Sequence, residues 1–131
     1  LYRLKIGIKQ LIKDLLTCVV ETLDFFGIQG RVNINAPGVY VNNNKICSIG
    51  LRIRKGICYH GIALNTNMDL TPFSYINPCG FKDLKMCQIK DFKPDITVSE
   101  VKQHFSRVFV HSFGYTSHHT IQHEESLDVA V

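Results

Sequence analysis

The sequence predicts an α+β domain. Three observations carry that prediction: apolar residues at helical spacing near the start, a run of short β-rich segments separated by turn signals, and a second, well-capped helix near the end. Helices set apart from a mainly antiparallel group of strands define that class. A length of 131 residues fits one domain with a usable core, and 45% hydrophobic against 20% charged residues excludes wholesale disorder.

Each element has its own signal. Across residues 8–26 apolar side chains fall at Ile8, Leu11, Ile12, Leu15, Leu16, Val19, Leu23 and Phe26, one stripe of a helix, with Lys9, Lys13, Asp14 and Glu21 away from it. Gly27 is placed to end that helix in a left-handed cap. Residues 31–34 and 39–41 read as short strands around the turn Ala36-Pro37-Gly38, and Asn42-Asn43-Asn44 is a second turn, since Asn tolerates positive φ. Residues 45–54 and 59–68 are two longer strands joined as a hairpin through Lys55-Gly56-Ile57. Thr71 and Pro72 open a short helix through Ile76, and Asn77-Pro78-Cys79-Gly80 is a turn. Residues 81–92 fit either strand or helix. The last helix opens on a capping box, Thr97 with Glu100, shows an apolar face of Val101, Phe105, Val108 and Phe109, and should end near Gly114. Residues 1–115 thus form the domain, and 116–131 a polar, His-rich tail.

Composition excludes several classes. No apolar run approaches the roughly 18–20 residues that cross a bilayer. The basic start (Arg3, Lys5, Lys9) lacks the uninterrupted apolar segment of a signal peptide, so a cytoplasmic protein is expected. Five cysteines without a Cys-x-x-Cys pair support neither a zinc ribbon nor a thioredoxin-type site, and no disulfide framework is expected. His118, His119 and His123 lie in the polar tail without fixed spacing, so no metal is assigned to them. A net charge of +4 gives no ground for a nucleic-acid partner. The chain opens on Leu1 and enters a helical pattern almost at once, so a fragment, or a product that has lost its front end, is expected.

Strand alternation then sorts the residues that can carry chemistry. With a period of two, Lys45 falls in line with Cys47, Ile49, Leu51 and Ile53, while Ile46, Ser48, Gly50, Arg52 and Arg54 form the other face. A lysine in an apolar row must reach water, find an anionic partner or lose its charge. Small residues gather on one face of each long strand, Ser48 and Gly50 on one, Gly61 and Ala63 on the other; that either leaves room for a ligand or marks a bulge or a closely packed helix. Cys79, between Pro78 and Gly80, is either a nucleophile at a turn or a partly buried turn cysteine. A free thiol is only about 3% ionised at pH 7, and a neighbouring ammonium would raise that fraction. Cys18, Cys47 and Cys87 read as core, Cys58 as partly exposed, and His60 as either core or sheet-facing.

An ordered set of segments carries a resemblance. Ala36-Pro37-Gly38-Val39-Tyr40-Val41, Lys45-Ile46-Cys47-Ser48-Ile49-Gly50-Leu51-Arg52, Tyr59-His60-Gly61-Ile62-Ala63-Leu64-Asn65, Met68-Asp69-Leu70 and Ile76-Asn77-Pro78-Cys79-Gly80 follow one another with matching spacing. Over roughly residues 1–115 the chain resembles the lipoyl(octanoyl) transferase family. The resemblance implies a fold like that of biotin- and lipoate-protein ligases, an α/β domain with a mixed sheet. It implies that Cys79 is the acyl-thioester nucleophile and Lys45 the lysine that lowers its pKa and relays protons. Ser48, Ile49 and Gly50, with Gly61, Ile62 and Ala63, match the family's acyl contacts. The family's upstream Arg-Gly-Gly and His-Gly-Pro-Gly loop has no match here, so the N-terminal part of the domain is expected to be missing.

The function so implied is transfer of an octanoyl group from octanoyl-acyl carrier protein, through an acyl-cysteine, to a lysine of a lipoyl domain. The acceptors implied are the lipoyl domains of 2-oxoacid dehydrogenase acyltransferase subunits and the glycine cleavage H protein, with no cofactor, nucleic acid or membrane. Carrier proteins are acidic, so Arg52, Arg54 and Lys55 either steer the donor or form a solvated face. Two rival readings stand beside it: a truncated, non-catalytic remnant that binds those partners, and an ATP-dependent lipoate-protein ligase, which would need no nucleophilic cysteine.

Overall fold

The computed structural model describes residues 1, 5–80, 83–116 and 118–119, and of Cys79 the backbone alone. Helix α1 (Ile8–Phe25) buries Leu11, Leu15, Leu16, Cys18, Val19, Thr22 and Leu23, the face its apolar spacing defines. It ends as its sequence requires. Gly27 adopts φ +76°, its N–H donates to Asp24 O at 2.9 Å, and the N–H of Ile28 reaches back to Leu23 O at 2.9 Å. That pair of bonds satisfies the last carbonyls and turns Ile28 into the core.

Four strands follow, β1 (Arg31–Asn33), β2 (Gly38–Val41), β3 (Asn44–Arg54) and β4 (Ile57–Leu64), in the spatial order β1-β2-β3-β4 with every neighbouring pair antiparallel. Both hairpins beyond β2 use two-residue turns with positive φ at each central residue: Asn42 and Asn43 (48° and 69°), then Lys55 and Gly56 (50° and 74°). Such turns match the right-handed twist of the strands they join, which is why Asn and Gly occupy them. The β3–β4 register runs unbroken from Arg54↔Ile57 to Cys47↔Leu64. The β2–β3 register does not. Val39 pairs with Cys47 but Tyr40 pairs with Lys45, so Ile46 is an extra residue in β3, a β-bulge.

The resulting core lies between the sheet and α1. Val39 and Val41 from β2, Ile46 and Cys47 from β3, and Leu16, Val19 and Leu23 from α1 are all buried in it. Strand β4 stops at Leu64, short of the expected residue 68, because its backbone finds other partners. Asn65 donates from its N–H to Ile46 O at 2.9 Å and from Nδ2 to Cys87 O at 3.0 Å, while the carbonyls of Asn65 and Thr66 accept from Ile89 and Lys90. The ambiguous stretch after residue 82 is accordingly neither helix nor long strand. It contributes one parallel bridge, Lys45 with Met86, and a 3₁₀ turn, Ile89–Asp91. The mixed character expected of the sheet reduces to that bridge among the described residues.

Helix α2 (Val98–Ser112) begins on the expected capping box: Thr97 Oγ1 accepts from Glu100 N at 3.2 Å, and Glu100 Oε2 accepts from Thr97 N at 2.9 Å. It packs on α1, sinks Val101 into the core and stacks His104 on Phe25 with ring centroids 3.7 Å apart. Of the expected tail, His118 and His119 are exposed; residues 117 and 120–131, His123 among them, lie outside the described residues.

Candidate active site

The bulge decides where Lys45 points. Gly38 and Tyr40, two apart on β2, share a face, and their partners on β3 are Ser48 and Lys45. Lys45 therefore sits on the Ser48 face, and the side chains of Ile46 and Cys47 both enter the core behind it. Strict alternation had put Lys45 in the row of Cys47; the extra residue at Ile46 reverses that assignment. A bulge commonly re-aims one side chain beside a site in this way.

Lys45 is 1% exposed, the largest fully buried side chain among the described residues. Two neighbours make room for it. Its ammonium lies 5.5 Å from the centroid of the Tyr40 ring, within cation–π range. Gly38, at φ +154°, lets the lysine stem pass overhead: a Cβ there would come 2.7 Å from Lys45 Cε and would collide with the carbonyl of Cys47. The Lys45 backbone is clamped as well, its N–H donating to Lys85 O and its carbonyl accepting from Cys87 N, both at 2.9 Å.

From Lys45 the same face runs on as a groove. The register pairs Ser48 with Ala63 and Gly50 with Gly61, so the four small residues meet on one side of β3 and β4. An open groove of about 320 Å³ lies there, lined by Ser48, Ile49, Gly50, Gly61, Ile62 and Ala63, with His60 at its side. A Cβ added to Gly50 or Gly61 would meet no atom within 4 Å, so the space above both is empty. His60, which was open between core and sheet face, is exposed and held at φ +65°.

The turn carrying Cys79 is the 3₁₀ segment Pro78–Gly80, fixed by Gly80 N donating to Asn77 O at 2.9 Å, with Gly80 at φ +75°. Asn77 and Pro78 share a cavity of about 240 Å³ with Leu84 and Lys85, and Lys85 is the residue whose carbonyl holds Lys45. The side chain of Cys79 lies outside the described residues, and with it the expected pairing of Cys79 with Lys45.

The other cysteines are described, and their surroundings suit thiols. Burial pushes Cys47 up to about 12, against a downward pull from Lys45, and burial with the nearby Asp91 pushes Cys87 up to about 11. Cys18 is also raised by burial. None of these three offers a thiolate near neutral pH. Cys58 is half-buried, as its place beside the hairpin suggested. Arg52, Arg54 and Lys55 are exposed at the far end of the hairpin. Among the described residues no group of three His, Cys, Asp or Glu side chains is placed to hold a metal ion, and no helix is long and apolar enough to cross a membrane.

Sequence reasoning missed Tyr40 and Gly38. Their spacing of two in Gly38-Val39-Tyr40 placed them on one face, but only the bulge brings Lys45 onto that face.

The chain matches the lipoyl protein ligase A/B catalytic domain over residues 2–110. It is 53% identical over 102 residues to an octanoyltransferase of Buchnera aphidicola, covering 78% of this chain and 48% of that protein. It is 48% identical over 113 residues to an octanoyltransferase of Photorhabdus laumondii, covering 86% and 53%. The chain thus spans about half the length of the curated relatives it matches. Among solved structures, a lipoate-protein ligase A bound with ATP superposes with a TM-score of 0.66 at 19% identity, over 84% of this chain and 48% of that one. A second, P. falciparum LipL1 in complex with lipoate, gives 0.62 at 14% identity, over 89% and 34%. These two show the fold. Buried lysine, small-residue groove and Pro-Cys-Gly turn stand on an architecture shared with those ligases, and the chain belongs to the lipoyl protein ligase A/B catalytic domain family.

Proposed function

We propose that the chain carries the acyl-transfer centre of an octanoyltransferase. In this reading it takes an octanoyl group from octanoyl-acyl carrier protein and passes it to a lysine of a lipoyl domain through a thioester on Cys79, residues 1–115 forming the catalytic domain. The observation that carries the reading is a lysine buried to 1% on the same sheet face as Ser48, which lines a groove of small residues. The names of relatives at 47–53% identity point the same way.

The chemistry follows from the groups. The Cys79 thiolate attacks the carbonyl carbon of the donor thioester; a new C–S bond forms, the old one breaks, and the phosphopantetheine sulfur leaves and takes a proton from the Lys45 ammonium. The acceptor lysine amine then attacks the acyl-cysteine; a C–N bond forms, the Cys79 sulfur leaves, and Lys45 receives the proton shed by the amine. Thioester exchange is nearly isoenergetic and amide formation is downhill, so the reading needs neither ATP nor a cofactor. The acyl chain would lie on Ser48, Ile49, Gly50, Gly61, Ile62 and Ala63. From Gly80 to Lys85 is five residues, at most about 17 Å of chain, so the turn cannot stray far from the strand that Lys85 joins. Acceptors would be lipoyl domains of 2-oxoacid dehydrogenase acyltransferase subunits and the glycine cleavage H protein, in the cytoplasm, where thiols stay reduced. Arg52, Arg54 and Lys55 would attract an acidic donor.

Incubation with octanoyl-acyl carrier protein and a lipoyl domain, with ATP omitted, tests this. The expected result is octanoylated domain, abolished by Cys79→Ser and slowed about 100-fold or more by Lys45→Ala. Product that appears only with free octanoate and ATP would establish the ligase reading, and no product under either condition the remnant.

A further inference from the structure

We infer that Tyr40 is a positioning residue for the reaction, its ring face serving as the seat on which the Lys45 ammonium is held on the groove face of the sheet. The inference deepens the proposed function and rests on it for the role of Lys45. Four observations support the seat. The Lys45 ammonium lies 5.5 Å from the Tyr40 ring centroid, and Tyr40 is itself buried. The two residues are cross-strand partners, brought opposite each other by the register change at Ile46. The hydroxyl of Tyr40 donates to Ala36 O at 2.7 Å, which ties the ring to the turn before β2 and leaves its face, not its hydroxyl, toward the lysine. Gly38, two residues before Tyr40, also lies against the stem, with Lys45 Cε 2.7 Å from where a Cβ would stand.

An aromatic face attracts a cation without accepting its proton. A hydrogen-bonding carboxylate at the same place would bind the ammonium more tightly and compete with substrate groups for its protons. A ring face takes up none of those N–H groups itself while fixing where the nitrogen stands. Position is what proton transfer is most sensitive to, so the seat should act on turnover rather than on substrate binding.

The test compares Tyr40→Leu with Tyr40→Phe in steady-state octanoyl transfer, alongside the NMR shifts of the Lys45 ε-methylene protons, which a nearby ring displaces upfield. Tyr40→Leu should lower kcat about tenfold with KM within about twofold, and abolish the upfield displacement. Tyr40→Phe, which keeps the ring and loses only the bond to Ala36, should recover most of the kcat loss and keep the displacement. A Tyr40→Leu protein with unchanged kcat, or a Tyr40→Phe protein that falls as far as Tyr40→Leu, would overturn the seat. If the unaltered chain transfers no octanoyl group, the proposed function fails and the seat is judged by NMR alone. Displacement kept in Tyr40→Phe and lost in Tyr40→Leu would then uphold it, and no displacement in the unaltered chain would overturn it.

Discussion

Position 45 shows how much work single residues do here. A long cationic side chain is fully buried where a glycine gives its stem room and an aromatic face attracts its charge. The cysteines show the complementary case, in which burial without room for charge keeps a thiol neutral. Cys47 and Cys87 are pushed from 9.0 to about 12 and about 11. The sign of the consequence follows directly. Above pH 9 the unfolded thiols lose protons that the folded ones retain, so the folded chain binds more protons and stability falls as pH rises through that window. Below pH 9 both states hold the proton and the contribution is constant. Between pH 9 and 11, urea midpoints should therefore drop by an amount corresponding to on the order of 1 kcal/mol per pH unit for each thiol. Replacing Cys47 and Cys87 by Ala should flatten that slope even though it lowers stability overall; an unchanged slope would contradict the assignment. The burial of Cys18 and Cys47 was legible in the sequence because one lies in an apolar-striped helix and the other on an apolar strand face; Cys87 also read as core, though its segment fitted either strand or helix. The orientation of Lys45 was not legible, since one inserted residue in a strand leaves no local signature.

At the scale of elements, the β3–β4 hairpin builds the groove. Its Lys55-Gly56 turn fixes the register, and the register sets Ser48 beside Ala63 and Gly50 beside Gly61. The hairpin and the small-residue face of each strand were readable in advance from a period of two; the register was not, because the connection was read as Lys55-Gly56-Ile57, whereas the turn is Lys55-Gly56 and Ile57 already pairs with Arg54. The end of β4 was not readable. It depends on Asn65 and Thr66 turning their backbone toward residues 87–90, a long-range choice that local propensity does not encode. The groove's depth gives a prediction at this scale. In Gly61→Val the new side chain enters open space and β-branching suits a strand, so stability should be retained. The groove, however, is partly filled. Octanoyl transfer should fall roughly 10–100-fold in kcat/KM while a butanoyl donor is affected much less, as measured by competing the two thioesters. Equal losses for both chain lengths would mean that the acyl chain lies elsewhere.

For the molecule as a whole, one helical layer backs one sheet. The face away from α1 collects the lysine, the groove and, through Lys85, the approach from the Asn77-Pro78 turn. The α+β class, both long helices and their caps were visible in the sequence because apolar spacing and capping residues are local signals. What the sequence left open was assembly: which face of β3 carries Lys45, and how an irregular segment of some twenty residues after β4 folds back to clamp Lys45. One sulfur is proposed to carry the acyl group, and intact-mass and peptide mass spectrometry after incubation with octanoyl-acyl carrier protein alone tests that most directly. The expected result is a single octanoyl adduct mapped to Cys79, labile to hydroxylamine and discharged by adding a lipoyl domain. An adduct on a different cysteine, or one on Cys79 that a lipoyl domain cannot discharge, would contradict it.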